Sequence, residues 1–306
     1  MIIVTGGSGF VGAHLCNLLS DNGHSVRIID IAPPPLGVHA EFVRASILDL
    51  PRLQRLVAGA DAIVHLAALV DVNASMSDPF SDFSVNLGGT INVLEAARHT
   101  GVEKVAYASS AAVYGNPVEV PIAESHPTAP LSPYGLSKLT AERYVLLYNS
   151  LYGMKNTALR LFNVFGRGQS AFSPYSGVIT KFADAIAEGK QPVIYGNGEQ
   201  TRDFVHVDDV AAAFSMALDG SGCDTALNIG SGKEIAILDL LEKMCSLSGK
   251  TPQPEFRSSR KGDIARSCAD ISLARGKIGY YPRMDFEQGL KELLIAEQSA
   301  GGLAGI

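Results

Sequence analysis

A glycine-rich turn near the start of the chain constrains the fold more than any other feature. It reads GGSGFVG over residues 6–12 and lies between an apolar run, Ile2 to Thr5, and a helical pattern from Val11 to Asn22. Such a turn lets backbone N–H groups approach a pyrophosphate, whose charge the helix N-terminus favours. Strand, glycine turn and helix together predict a βαβ unit that binds a dinucleotide.

The end of the second predicted strand indicates which dinucleotide is bound. This strand runs from His24 to Asp30, which lies eighteen residues after Gly12. A carboxylate at this point hydrogen-bonds a ribose diol and repels a 2′-phosphate. Neither Ile31 nor Ala32 supplies an arginine for such a phosphate. The sequence therefore predicts NAD rather than NADP.

A serine, a tyrosine and a lysine form the candidate catalytic group. Ser110 follows an apolar strand pattern, Lys104 to Ala108, while Tyr134 and Lys138 lie four apart on a helix that starts at Ser132-Pro133. A phenol is a weak base at neutral pH because its pKa is about 10, and a nearby cation favours the phenolate. The three groups predict general-base chemistry, although the tyrosine–lysine pair alone could also be a helix face with a snorkelling lysine.

Strands and helices alternate along the first part of the chain. Further strands are predicted at 40–45, 62–69, 157–162 and 226–229. This alternation predicts an α/β fold, a Rossmann-type doubly wound parallel sheet with a smaller C-terminal α/β substrate-binding lobe. We expect residues 1–163 plus about 203–232 to form the NAD-binding domain. The substrate-binding lobe would consist of about residues 164–202 and 233–300, and residues 301–306 would form a tail.

Composition narrows the possible partners. Hydrophobic residues make up 46% and charged residues 18% of the chain, which suits a large globular core. The net charge of −6, without a basic cluster, argues against nucleic acid, and no apolar run is long enough for a membrane span. The first strand begins at the initiator, and the four cysteines are scattered. We therefore predict a cytoplasmic protein with reduced thiols, no metal site and no membrane partner.

In addition to the glycine turn, three sites along the chain have a specific interpretation. Asp49 either touches an adenine ring or caps a helix at 51–57, and the sequence does not decide between them. Asn86 lies inside a predicted helix, 84–100, where we expect its side chain to bond a neighbouring loop. The small Ala67-Ala68 pair ends the fourth predicted strand and would let a cofactor pass over the backbone.

Six motifs together resemble the extended short-chain dehydrogenase/reductase family. They are TGGSGFVG at 5–12, HLAA at 65–68, SSAAVYG at 109–115, YGLSK at 134–138, RLFNVFG at 160–166 and RDFVHVDD at 202–209. They occur in the family's order and span the chain to about residue 270. The chain is most similar to the UDP-sugar 4-epimerase branch.

The resemblance implies a mechanism for the three candidate catalytic residues. Tyr134, as phenolate, would take the proton of the sugar C4 hydroxyl while C4 gives its hydride to NAD. Lys138 would bond the nicotinamide ribose and hold the phenol's pKa down together with the cofactor's positive ring. Ser110 would hydrogen-bond the C4 oxygen. The 4-keto sugar would then turn over and receive the hydride on its opposite face.

The resemblance also implies the binding residues. For the cofactor they are Gly6, Gly9, Phe10, Val11, Gly12, Asp30, Asp49, Leu66, Ala67, Ala68, Asn86, Ser109, Tyr134, Lys138 and Phe162. For the substrate they are Ser110, Tyr134, Asn163, Val178, Tyr195, Arg202, Arg260, Asp263 and Ser267. Asn163 and the arginine pair would bind the diphosphate, and Asp263 the uridine ribose. Tyr195 would stack on uracil, although a core role is equally compatible with the sequence, and Arg160 is expected to be structural.

Two departures from the family pattern bear on the reaction and the sugar. Ala111-Ala112 offers no acid after the serine segment, which argues against dehydratase and decarboxylase activity, and Ala112 removes a hydroxyl that many epimerases have. Ser267 stands where a bulky tyrosine is associated with exclusion of N-acetylated sugars. We therefore hypothesise that UDP-N-acetylglucosamine is accepted as well as UDP-glucose.

The sequence also leaves two alternative functions open and predicts an oligomeric state. The first alternative is an epimerase or dehydrogenase acting on UDP-glucuronate or a dTDP sugar. The second is a catalytically silent NAD-sensing module, against which the presence of Tyr134 and Lys138 argues. The family resemblance implies a homodimer through the helices at 84–100 and 134–151. Leu147, Tyr148 and Leu151 could supply its apolar surface or belong to the core.

Overall fold

The computed structural model describes residues 1–169, 177–220, 224–259 and 264–301. Its strands are β1 (Ile2–Thr5), β2 (Val26–Asp30), β3 (Glu41–Arg44), β4 (Ala62–His65), β5 (Val105–Ser110), β6 (Thr157–Leu161), β7 (Asn163–Phe165), β8 (Val193–Tyr195), β9 (Thr201–Arg202), β10 (Phe204–His206), β11 (Leu227–Ile229), β12 (Ile235–Ala236) and β13 (Glu255–Arg257). Its α-helices are α1 (Phe10–Asp21), α2 (Leu50–Val57), α3 (Val72–Ser77), α4 (Pro79–Asp82), α5 (Gly89–Thr100), α6 (Pro133–Tyr152), α7 (Val178–Ala187), α8 (Val207–Asp219), α9 (Ile237–Leu247), α10 (Ser272–Ile278) and α11 (Phe286–Gly301).

Seven parallel strands form the central sheet, in the order β11-β6-β5-β4-β1-β2-β3. In β1, for example, Val4 pairs with Ile28 of β2 and with Val64 of β4. Because the strands are parallel, their carboxyl ends lie at one edge, where ligands bind in open α/β sheets. The predicted α/β fold with a doubly wound Rossmann-type sheet is confirmed.

The two faces of the sheet are buried under different helices. Val4, Ile28 and Val64 pack on one face with apolar residues of α1 and α8. Ile3 and Ile63, on the opposite face, pack with residues of α2, α5 and α6. Burial on both faces explains why these strands are almost continuously apolar. A third hydrophobic cluster joins α7, α9 and α11 in the C-terminal part of the chain.

Several predicted boundaries differ from the structure. The predicted strand at 62–69 ends at His65, after which the chain enters the loop of Leu66 to Val70. The predicted helix at 84–100 is a π-helical turn, Phe83–Gly88, followed by α5. Asn163 does not end the sixth strand; it begins β7, which pairs with β10. The exact end of a helix or strand depends on where the backbone changes its hydrogen-bond partner. Local propensity does not contain this information, which explains the differences.

The helices and acidic side chains of the described residues limit what this fold can bind. None of these helices is long and apolar enough to span a lipid bilayer. No group of three or more histidine, cysteine, aspartate or glutamate side chains in that part of the chain could hold a metal ion.

Candidate active site

The glycine-rich turn packs so closely that Gly6 and Gly12 have no room for side chains. Gly6 has φ +72°, and a Cβ placed on it would lie 2.5 Å from the backbone nitrogen of Ala67. A Cβ on Gly12 would lie 2.3 Å from the carbonyl oxygen of Gly6. Gly9, the N-cap of α1, supplies no side-chain cap, so the first N–H groups of this helix remain open. This cradle fits a diphosphate.

We expect Gly12→Ala to weaken NAD binding at least about tenfold, because the added methyl group displaces the carbonyl of Gly6 and distorts the turn. Isothermal titration with NAD measures the effect. Gly276→Ala is the matched control, since a Cβ there meets no atom within 4 Å. An unchanged NAD affinity for Gly12→Ala would show that the turn does not bind the cofactor.

A cleft with a volume of about 1410 Å³ opens beside this turn at the carboxyl edge of the sheet. Nine of the predicted cofactor residues line it: Gly6, Gly9, Phe10, Val11, Gly12, Asp30, Leu66, Ala67 and Ala68. The Asp30 carboxylate accepts hydrogen bonds from the backbone N–H of Ser8 at 3.1 Å and of Ile31 at 2.7 Å. It therefore holds the glycine turn to the end of β2.

Two predicted cofactor residues have other partners. Asp49 is exposed and accepts a hydrogen bond from Arg52 N–H at 3.1 Å, which caps α2 as one of the two interpretations predicts. Asn86 is buried in the π-helical turn. It accepts from the N–H of Leu69 at 2.7 Å and donates to the carbonyl of Leu69 and to Asp82. The expected bond to a neighbouring loop is confirmed, and neither residue lines the cleft.

The candidate catalytic residues lie at the end of β5 and in the first two turns of α6. Ser132 caps α6 by accepting from Gly135 N–H at 3.1 Å, and Pro133 follows it, as predicted. Tyr134 is 8% exposed, and the Ser110 hydroxyl lies close enough to its phenol to act on the phenol's pKa. The buried Lys138 donates to the carbonyl of Ala108 at 2.8 Å. The structure thus brings the hydroxyl and the phenol together, with the ammonium beside β5.

Burial controls the ionisation of this group. It raises the pKa of Tyr134, and the charge of Asp82 adds to the increase, while the hydrogen bond to Ser110 acts in the opposite direction. Burial also lowers the pKa of Lys138 to about 8. In the protein alone, the pKa of Tyr134 is therefore raised. The expected lowering counted the positive ring of bound NAD, and it stays a prediction for the complex.

We expect Ser110→Ala to move the acid limb of the kcat/KM–pH profile to higher pH by about one unit, since one hydrogen bond to the phenolate is lost. Activity that needs the phenolate is present above the pKa of Tyr134 and disappears as the pH falls through it. Removal of the Ser110 hydroxyl raises that pKa further. The profile is measured from pH 5 to pH 11, so that it includes the region around and above the ordinary phenol pKa of about 10.

Ser109→Ala is the matched control for this profile, because the neighbouring hydroxyl points elsewhere. Ser109 donates to Glu142 at 2.6 Å. We expect the control to leave the acid limb in place. A Ser110→Ala profile that superimposes on the unmodified one would contradict a role of Ser110 in the ionisation of Tyr134.

A buried ion pair lies behind the catalytic residues. Arg160 on β6 donates to both carboxylate oxygens of Glu142 on α6, at 2.7 and 2.9 Å, and to Tyr114 at 2.8 Å. Tyr114 in turn donates to Asn228 of β11 at 2.6 Å. Ser109, which is also predicted to contact the cofactor, donates its hydroxyl to Glu142. The expected structural role of Arg160 is confirmed, and this network joins α6 to three central strands.

The remaining predicted cofactor residue and the substrate residues lie in several places. Phe162 is buried in the core against Tyr114. Exposed Asn163 begins β7, half-buried Val178 begins α7, half-buried Tyr195 ends β8, Arg202 ends β9 and Ser267 is buried. Arg202 donates to the carbonyl of Ile264 at 2.6 Å. Arg260 and Asp263 lie outside the described residues.

Among the residues of the cleft wall that the sequence did not point to, three are polar and contact one another. His14, Arg167 and Asp208 line the cleft together with the glycine turn. His14 lies 194 positions from Asp208 along the chain, so no local pattern connects them. The only available signal was the RDFVHVDD motif, which includes Asp208.

The predicted dimer helices leave apolar side chains exposed. Leu147 and Leu151 of α6 are 45% and 59% exposed. Tyr148 is buried, and its hydroxyl donates to Glu95 at 2.7 Å, so it belongs to the core.

Comparison with known proteins agrees with this geometry. The profile of the NAD dependent epimerase/dehydratase family matches residues 2–230. The UDP-glucose 4-epimerase of Mycolicibacterium smegmatis is 36% identical over 300 residues, which cover 94% of this chain and 95% of that protein. The UDP-N-acetylglucosamine 4-epimerase of Methanobrevibacter ruminantium, solved with UDP-N-acetylmuramic acid, has a TM-score of 0.92 at 34% identity and covers 98% of both chains. The UDP-glucose 4-epimerase of Thermotoga maritima, solved with UDP-glucose, has a TM-score of 0.93 at 32% identity, over 98% of this chain and 99% of that one.

Fold and cleft together define a Rossmann-type enzyme that binds a dinucleotide. The chain belongs to the NAD dependent epimerase/dehydratase family, which confirms the resemblance to the extended short-chain dehydrogenases/reductases. It is an isomerase, and its cofactor is NAD. Both predictions are confirmed.

Proposed function

We propose that this protein interconverts UDP-hexoses at C4. The substrates are UDP-glucose and UDP-galactose, together with UDP-N-acetylglucosamine and UDP-N-acetylgalactosamine. The observation that carries the proposal is the position of the buried Tyr134 phenol beside the Ser110 hydroxyl, at the sheet edge where the NAD cleft opens. Similarity to solved 4-epimerases over nearly the whole chain supports the same reaction.

The reaction begins with proton removal by Tyr134 from the C4 hydroxyl, while Ser110 hydrogen-bonds the oxygen. NAD, when bound, would accept the hydride from C4 and later give it back to the opposite face of C4, which balances the two proton transfers. Lys138 remains beside β5 as the nearby cation, and its pKa of about 8 leaves it largely charged at neutral pH. The transient 4-keto sugar turns over in the pocket. Tyr134 then returns a proton to the C4 oxygen, which yields the epimer.

The C-terminal part of the chain would bind the nucleotide diphosphate. Arg202 has the guanidinium geometry for a phosphate, and it already contacts the carbonyl of Ile264, next to the segment that contains Arg260 and Asp263. We assign Asn163 to the diphosphate, Tyr195 to the uracil and Val178 to the same lobe. The third hydrophobic cluster supports the division into an NAD-binding domain, 1–163 plus 203–232, and a substrate lobe.

Ser267 supports acceptance of N-acetylated sugars. It is buried, and its side chain is much smaller than the tyrosine found at this position in family members that exclude such sugars. The similar enzyme from M. ruminantium is named for an N-acetylated substrate.

We also propose that the protein is a cytoplasmic homodimer. Leu147 and Leu151 lie one helical turn apart on the exposed side of α6, where a second copy can cover them.

An equilibrium NMR assay with purified protein and NAD tests the reaction and the sugar. UDP-glucose and UDP-N-acetylglucosamine are supplied separately, and we expect C4 interconversion of both. Turnover of UDP-glucose alone would retain the mechanism and overturn the argument from Ser267. Absence of turnover with both sugars would overturn the proposed substrates and favour UDP-glucuronate, a dTDP sugar or an NAD-sensing role.

A further inference from the structure

A buried histidine links the two strands that end beside the NAD cleft. His65 is the last residue of β4 and is 1% exposed. Its Nδ1 lies 2.7 Å from Oγ1 of Thr5, which is the last residue of β1 and its partner in the strand register. Its Nε2 lies 2.9 Å from Oγ1 of Thr90 on α5. His65 begins the HLAA motif, and it belongs neither to the cofactor cradle nor to the catalytic group.

The partners of Thr90 determine the direction of these hydrogen bonds. Its hydroxyl oxygen lies 2.6 Å from the carbonyl oxygen of Asn86, which only accepts, so the hydroxyl donates to it. The same hydroxyl oxygen then accepts from Nε2–H of His65. Burial and the charge of Lys138 lower the pKa of His65 to about 3, so the ring is neutral at pH 7 and carries a single N–H. Its Nδ1 therefore accepts from the hydroxyl of Thr5.

This chain of hydrogen bonds ends at the π-helical turn that holds a wall of the cleft. The loop of Leu66 to Val70 follows His65 and lines the cleft. Asn86, whose carbonyl oxygen accepts from Thr90, also binds the N–H and the carbonyl of Leu69 with its side chain. His65 and Asn86 therefore anchor this loop at its start and near its end.

On the neighbouring strand, His65 holds the start of the glycine-rich turn. Thr5 directly precedes Gly6, and its carbonyl oxygen accepts from the N–H of Leu66 at 3.0 Å. Gly6 lies so close to the loop that a Cβ on it would be 2.5 Å from the backbone nitrogen of Ala67. A shift between the ends of β1 and β4 would thus change the cradle and the loop together.

We propose that His65 is a positioning residue for NAD: its two hydrogen bonds hold the glycine-rich turn and the loop of Leu66 to Val70 in the arrangement that receives the cofactor. Without them the protein also populates arrangements that do not bind NAD, and the apparent affinity falls with the fraction that remains competent. The proposal rests on the NAD-binding role of the cleft and is independent of the identity of the sugar. Its failure would leave the proposed epimerase reaction untouched.

Replacements of the two threonines by valine, which has the same shape, test this role. The measurement is the rate of NAD release from the loaded full-length protein. Thr5→Val removes the hydroxyl that donates to Nδ1 of His65, and Thr90→Val removes the oxygen that accepts from Nε2–H. We expect each variant to release NAD about tenfold faster than the unmodified protein, because a buried ring nitrogen loses its partner. Thr5→Ser keeps the hydroxyl and should release NAD at nearly the original rate.

Thr180→Val is the matched control. Thr180 is fully buried on α7, and its hydroxyl has no hydrogen-bond partner among the residues that the structure describes. We expect this variant to release NAD at the original rate. Denaturant unfolding of every variant is measured in parallel, because a merely structural role of His65 would lower stability without changing NAD release from the folded protein. Release from Thr5→Val at the original rate, or equally fast release from Thr5→Ser and Thr5→Val, would overturn the proposal.

The direction of the hydrogen bonds is measured on the unmodified holoenzyme by NMR with ¹⁵N-labelled histidine rings. The spectrum of His65→Gln assigns the His65 signals. We expect a neutral ring that carries its hydrogen on Nε2. A ring that carries its hydrogen on Nδ1 would overturn the proposal, whether or not the threonine variants fold.

Discussion

Tyr134→Phe should reduce kcat about 10²–10⁴-fold, the range associated with loss of a general base. The substitution removes the phenolic oxygen that accepts the C4 proton, and it leaves the ring in place. The side chain is buried beside Ser110, so no exposed group can replace it without rearrangement. Steady-state kinetics with UDP-glucose measure the loss. NAD content, determined after denaturation, should remain unchanged because the cofactor cradle lies in the glycine-rich turn.

Tyr144→Phe provides the matched control, since Tyr144 lies on the same helix and is 38% exposed. Its kcat should equal that of the unmodified protein. A Tyr134→Phe variant that keeps more than a tenth of the original kcat would contradict the role of Tyr134 as general base. Loss of NAD from that variant would instead indicate a defect of the fold.

Arg160→Met should lower the free energy of unfolding by about 3–5 kcal/mol, the cost of leaving a buried charge without its partner. The Glu142 carboxylate would then retain only the hydroxyl of Ser109. Denaturant unfolding of the NAD-free protein measures the change. The kinetic parameters of the surviving folded protein should also deteriorate, because the pair holds α6, which carries Tyr134 and Lys138, against β5 and β6.

A triple replacement shows whether Arg160→Met loses stability through the unpaired charge of Glu142 or through lost packing. Ser109→Ala, Glu142→Leu and Arg160→Met together remove the polar groups and fill their space with apolar atoms, which is often neutral for stability. We expect the triple variant to recover most of the stability lost by Arg160→Met. If the single and triple variants were equally unstable, lost packing around the Arg160 side chain would be the cause.

Patterns local to the chain allowed much of the fold to be predicted. The glycine turn, the capped helix of Tyr134 and the apolar strands each depend on neighbouring residues, and each is found near its predicted position. Asp30 was identifiable because its spacing from Gly12 follows from the length of one helix and one strand. The cofactor could therefore be predicted from a short N-terminal segment.

Contacts between distant residues could not be predicted in this way. Ser109 and Ser110 are identical in type and adjacent, but strand geometry directs them to opposite faces, one toward Glu142 and the other toward Tyr134. The sequence alone does not tell which of two adjacent residues at the end of a strand faces which side of the sheet. The pairing of His14 with Asp208 spans 194 residues. Only the folded sheet and its helices bring such groups together.

The strand order has a consequence for how this enzyme can diversify. β4 alone separates β1, which leads into the phosphate cradle, from β5, which ends at Ser110. With neighbouring strands about 4.8 Å apart, the sheet holds the two ends at a separation of roughly 10 Å. Backbone hydrogen bonds between the strands set this distance, so side-chain substitutions do not change it. New sugar preferences can therefore arise in the segments after β7 while the distance between phosphate cradle and catalytic serine is preserved.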